Sequence, residues 1–178
     1  MARTGLLLQV ALLGTLAVNS SAALGQALKP APSGRGTTTV TLNGRSEPAT
    51  ISIDYGQPHA RGRVVAGALA ADLDTVWRLG ANEPTMLRTD VDLTIGTLAV
   101  PKGSYTLTAA TSRTGAWKLI VKQDSILEWG RAQLTSRTLT SPVESFTMWL
   151  IPASDGSASG EIRFAWGTRE FSAPWKVK

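Results

Sequence analysis

Apolar and polar positions alternate along most of the chain beyond residue 49. Ile51, Ile53 and Tyr55 share one parity, and Thr50, Ser52 and Asp54 the other. Leu87, Val91, Leu93 and Ile95 stand against Arg88, Asp90 and Asp92 in the same way, and Tyr105, Leu107 and Ala109 against Ser104, Thr106 and Thr108. The pattern recurs at Trp117, Leu119 and Val121, at Phe146, Met148 and Leu150, at Ile162, Phe164 and Trp166, and at Phe171, Ala173, Trp175 and Val177. Successive side chains of a strand point to opposite faces of its sheet, so a period of two predicts strands with one buried face. Asn43-Gly44, Pro101-Lys102-Gly103, Arg113-Thr114-Gly115, Asp155-Gly156 and Gly167-Thr168 punctuate the segments. Such residues tolerate the positive φ that hairpin turns need. Strands this close in sequence pair antiparallel, because a parallel pair needs a long crossover. The expected fold is all-β, an antiparallel β-sandwich with short strands and little helix. Two stretches break the period. Residues 64–76 are rich in Ala and Leu and predict a loop with one or two helical turns. Residues 123–142 read as irregular, with Trp129-Gly130 among polar residues and Pro142 ahead of the next strand.

The amino terminus follows a different logic. Arg3, an apolar stretch from Leu6 to Val18, and small residues at Ala23 and Gly25 have the layout of a secretory signal over residues 1–25. The apolar stretch falls short of the roughly 18 residues that span a bilayer. The expected product is exported, periplasmic or extracellular, without a membrane span in the mature chain. Residues 26–36 hold Pro30, Pro32, Gly34 and Gly36 and predict a flexible lead-in to a single domain over 37–178.

Composition then removes several chemistries. The chain has no Cys, which excludes disulfides, thiolate metal ligands and a thiol nucleophile. Its one His, His59, excludes a His-rich metal site, and no metal or cofactor is expected. No Gly-x-Ser-x-Gly elbow is present. The net charge of +5 comes from scattered Lys and Arg with no basic run, which reads as a solvated surface. With export, nucleic acid is not an expected partner.

Three segments in order carry a resemblance. They are Ile53-Asp54-Tyr55-Gly56-Gln57-Pro58 followed by Arg61-Gly62-Arg63, then Val76-Trp77-Arg78-Leu79-Gly80-Ala81-Asn82-Glu83-Pro84-Thr85, then Val100-Pro101-Lys102-Gly103-Ser104-Tyr105-Thr106-Leu107 followed by Trp117 and Trp129-Gly130. Together they resemble the exported bacterial family known only as domain of unknown function 2911, from about Thr39 to the carboxyl end. The resemblance implies fold class and export, not a reaction. Two departures stand out. Val121-Lys122 occupy the place where that family tends to show Asn, and Arg131 to Thr140 replace a Tyr- and Asp-containing segment.

The candidate site residues lie in the first two segments. Arg61 and Arg63, two apart, share a face if the chain is extended there, and guanidinium pairs clamp anions. Alternatively, Asp54 and an arginine tie the following loop to the sheet. Arg78, Asn82 and Glu83 would be presented to a polar ligand by a loop turned at Gly80; the alternative is a tight structural turn. Tyr55 and Trp77 are expected as buried anchors, and Arg61, Arg78, Asn82 and Glu83 as neighbours in space. Asp54 and Glu83 would serve as an acid–base pair if they converged. His59 is either a base beside one of them or an exposed loop imidazole. Trp149 is the candidate sugar platform. Asp90 and Asp92 read as a solvated strand face, since no calcium loop surrounds them or the Asp72-Leu73-Asp74 pair. The leading expectation is a non-catalytic exported binding or structural module of the cell envelope with a polar ligand. The alternative is a metal-independent hydrolase using Asp54 and Glu83.

Overall fold

The structure, a computed structural model, describes residues 32–44, 46–65, 76–112, 115–123 and 127–178. Its strands are β1 (Ser33–Leu42), β2 (Ala49–Pro58), β3 (Val76–Trp77), β4 (Thr85–Thr89), β5 (Leu93–Ile95), β6 (Leu98–Val100), β7 (Gly103–Thr111), β8 (Trp117–Lys122), β9 (Glu128–Gln133), β10 (Thr135–Pro152) and β11 (Ser159–Val177). One sheet runs β1-β2-β4-β7-β8-β9, with β3 also paired to β7; the other runs β10-β11-β5-β6. Every pairing is antiparallel. The helical turns expected within 64–76 fall mainly at 66–75, outside the described residues.

The buried parity of each strand builds the core between the sheets. Ile51, Ile53, Leu87, Leu107 and Leu119 from the larger sheet are fully buried, as are Phe146, Phe164, Phe171 and Trp175 from the smaller. Tyr55 meets Phe146 edge to face at 5.6 Å, Trp117 meets Phe171 at 4.8 Å, and Phe164 stacks on Phe171 at 5.2 Å. Two half-hydrophobic sheets bury their apolar faces against each other in this way, and aromatic edges add to the area term.

Specific contacts join the sheets at both sides. On one, Ala60 N–H donates to Glu144 O at 2.7 Å, His59 bridges Ser145, and Leu150 N–H donates to Thr38 Oγ1 at 3.0 Å. On the other, Trp129 Nε1 donates to Ala99 O at 2.8 Å, and Leu98 occupies the space that a Cβ on Gly130 would need. Bare strand edges invite foreign pairing, and these contacts cover them.

Four expectations are corrected. Strand β1 begins at Ser33, so residues 33–36 belong to the sheet and not to the lead-in; Gly36 is needed there because the Tyr55 ring lies 2.6 Å from where its Cβ would be. Residues 128–133 are β9 and residues 135–142 the first part of β10, not irregular chain. Strands β10 and β11 are long, at 18 and 19 residues. Gly167-Thr168 is no turn: Gly167 (φ 57) sits inside β11 at a bulge. While β10 advances from Thr138 to Thr147, β11 advances only between Arg169 and Ala165, and two register shifts absorb the surplus. Bulges bend a strand, and β11 bends until Val177 N–H donates to Ala158 O at 2.9 Å.

Candidate functional site

Strands β3 and β4 pair with successive stretches of β7. Trp77 faces Ala109 and Thr85 faces Leu107, so residues 78–84 leave the sheet beside Thr108. Leu79 (φ 54), Gly80 (φ 151) and Asn82 (φ 62) make the excursion. Leu79 turns a fully buried side chain inward, and Thr85 Oγ1 donates to its carbonyl at 2.6 Å. Gly56 of β2 lets the loop press close, because Ala81 fills the position of a Cβ there; a Cβ on Gly80 would stand 2.8 Å from Gly56 O. The glycines are thus required by backbone-to-backbone approach.

Beneath this loop lies a cavity of about 330 Å³ lined by Arg78, Asn82 and Pro84 of the loop, Thr106, Leu107 and Thr108 of β7, and Lys122 of β8. Arg78 Nη1 donates to Asn82 O at 3.2 Å, which steadies the guanidinium and leaves its other N–H groups available. Thr108 is only 8% exposed, and its Oγ1 has no hydrogen-bond partner among the described residues. Lys122 is half-buried, and its ammonium forms no hydrogen bond or ion pair with a described residue. Across the register from Lys122, the Glu128 carboxyl is held below its usual range, first by the hydrogen bonds from Arg131 and further by the charges of Arg131 and Lys122. The lining contains two cations and no carboxylate. A buried hydroxyl without a partner is costly, and cations near it favour an oxyanion.

The other candidates lie elsewhere. Asp54, on the outer face of β2, pairs with Arg35 and accepts from Thr37 Oγ1 at 3.0 Å, tying β2 to β1. Arg61 (φ 50) and Gly62 (φ 76) form a turn, so Arg61 and Arg63 do not share a face of extended chain. Arg63 instead donates to its own loop, from Nε to Ala60 O at 3.0 Å and from Nη2 to His59 O at 2.8 Å. Arg61 N–H donates to Glu144 Oε1 at 2.7 Å, on the β10 side. Glu83 is exposed and makes no hydrogen bond or ion pair with a described residue. His59 Nδ1 lies 2.7 Å from Ser145 Oγ, across the isolated bridge that joins the residue after β2 to β10. Tyr55 is buried, and Trp77 is half-buried against Phe146 (5.2 Å) and Trp166 (6.4 Å, stacked). Trp149 is half-buried opposite Arg163, while Trp129 is the more exposed indole at 43%. The structure therefore unites Arg78 with Asn82 and adds Thr106, Thr108 and Lys122, which sequence reasoning missed. Their outward parity and the hairpin that pairs Thr106 with Lys122 were legible; the pairing of β3 and β4 with β7, which brings residues 78–84 to them, was not.

Fold and cavity together define a two-sheet β-sandwich domain with a basic recess where a loop interrupts strand pairing. Family comparison goes one step further. The profile of a family described as a protein of unknown function, DUF2911, matches residues 37–175, and the chain belongs to that family. No curated protein and no solved structure matches the chain.

Proposed function

We propose that the protein is a non-catalytic exported module of the cell envelope that binds an oxyanion-bearing polar ligand in the cavity under residues 78–84. The observation that carries this reading is the unpartnered, buried Thr108 hydroxyl, set in a cavity with the side chains of Arg78 and Lys122. Hydrogen bonds to charged groups contribute about 1.5–3 kcal/mol, so a phosphate or carboxylate reaching all three side chains has enough to select it over a neutral molecule. The hydrolase alternative needs Asp54 free beside Glu83, whereas Asp54 is occupied by Arg35 and Thr37.

The test is calorimetric titration with glycerol 3-phosphate, glucuronate and glucose. The two anions distinguish phosphate from carboxylate chemistry, and glucose is the neutral control. At least one anion should bind, more weakly as salt rises, and Arg78→Met with Lys122→Met should weaken it by about a hundredfold, two charge-assisted contacts being lost. Equal binding of glucose, or no change in the double variant, overturns the reading. Export is tested separately: amino-terminal sequencing of protein recovered outside the cytoplasm should begin at or near Gln26, and an intact Met1 there would refute processing at this point.

A further inference from the structure

The smaller sheet contains a separate cavity that shares no residue with the one under the loop. It opens where β11 returns on itself, between residues 159–163 and residues 174–176 of that strand, with the end of β10 and β5 alongside. Its volume of about 600 Å³ falls in the range of small-molecule sites. Ile151, Pro152, Ala153 and Pro174 give it apolar walls.

Two residues that line this cavity carry a buried N–H without a hydrogen bond to any described residue. Trp175 is 2% exposed, and its Nε1 makes no hydrogen bond with a described residue. Its Cζ2 lies 2.9 Å from the position of a Cβ on Gly160, another lining residue. Nε1 and Cζ2 are bonded to the same ring carbon, so the N–H edge of the indole is the one next to Gly160. Arg163 Nε is likewise buried without a hydrogen bond. Its Nη2 donates to Glu161 Oε2 at 2.6 Å, and its Nε forms an ion pair, longer than a hydrogen bond, with Glu170 Oε1 at 3.7 Å. The Glu161 charge is thereby matched by Arg163, while Lys176 lines the cavity as an exposed ammonium with no carboxylate partner among the described residues. An indole N–H and a guanidinium N–H, both desolvated, call for an acceptor, and a free cation beside them calls for a negative one.

We infer that this crevice is a second binding site, for a compact amphipathic carboxylate. The apolar body lies along Ile151, Pro152, Ala153 and Pro174, and the carboxylate accepts from Trp175 Nε1 and Arg163 Nε with Lys176 beside it.

Two-dimensional ¹H–¹⁵N spectra resolve indole N–H signals, and Trp175→Phe assigns the one that matters. Titration with octanoate should move the Trp175 signal to saturation at millimolar concentration. Octan-1-ol should bind at least about tenfold more weakly, the effect of losing one charge-assisted hydrogen bond. Ala153→Trp, which fills the crevice, should abolish the shift while the remaining indole signals keep their dispersion and so report an intact fold. Arg78→Met with Lys122→Met should leave it unchanged, so the two sites fail or succeed separately. An unmoved Trp175 signal, an undiminished shift in Ala153→Trp, or a shift confined to the exposed Trp129 would overturn the site.

Discussion

Thr108 sets stability against binding within one side chain. Its hydroxyl is buried and unpartnered, so the folded state carries a desolvation cost that nothing returns. Thr108→Val keeps the shape and removes the orphan. Its expected effect is stabilisation by about 1 kcal/mol in a denaturant melt, with loss of anion affinity in the calorimeter. A fall in stability would mean that the hydroxyl has a partner in solution. Gly56 answers to a harder constraint, since Ala81 occupies the space of a Cβ. Gly56→Ala should cost about 3 kcal/mol by forcing the two backbones apart, whereas Gly62→Ala, with open space around it and only a positive φ to oppose it, should cost about 1 kcal/mol. At this scale the sequence was partly legible. Parity placed Tyr55 inside and Asp54 outside, as the structure has them. The turn at Arg113-Thr114-Gly115 already implied Lys122 beside Thr106, but parity could not place residues 78–84 beside Thr108, because β3 and β4 reach β7 across the intervening β5 and β6.

Between β4 and β5 the chain passes from one sheet to the other, and two carboxylates clamp the crossing. Asp90 Oδ2 accepts from Thr50 N–H at 2.8 Å and from Thr50 Oγ1 at 2.7 Å, and Asp92 Oδ1 accepts from Lys102 N–H at 2.8 Å. Both residues are exposed, as expected, but they lie between strands and not on a strand face. The Thr50 hydroxyl, followed by the Thr50 amide, holds the Asp90 carboxyl below its ordinary value. A folded-state pKa below the unfolded one gives stability that is present above the unfolded value and is lost as pH falls through the folded one. Asp90→Asn should therefore reduce stability at neutral pH and flatten its decline below about pH 4 in acid melts. An unaltered acid limb would show that other carboxylates carry it. The crossing also explains a misreading at the level of elements. Leu87, Leu93 and Ile95 share one parity, yet β4 belongs to the larger sheet and β5 to the smaller. Alternation reports which face is buried, not which sheet a strand joins. Early β10 gave no alternation at all, since residues 135–142 are mostly exposed on both faces.

The whole molecule depends on the bend in β11. Before it, Phe164 and Trp166 pack with Trp77 and Phe146; after it, Phe171 packs with Trp117, and Trp175 closes the core beside Gly160. One strand thereby lines the core twice and holds the crevice between its arms. The bend turns on Gly167, which is buried, left-handed and paired with Val143 between two register shifts. In that backbone region Gly is unstrained, Asn is tolerated because its side chain can satisfy the backbone locally, and Ala is opposed by its Cβ at about 1–2 kcal/mol. Denaturant midpoints should therefore rank Gly167 above Gly167→Asn above Gly167→Ala. Propensity in an ordinary extended strand gives a different order, with Ala no worse than Gly and Asn no better than Ala. An Ala variant as stable as the parent would mean that β11 passes position 167 with negative φ. The arms would then not be obliged to meet, and both the aromatic core and the crevice would need another cause.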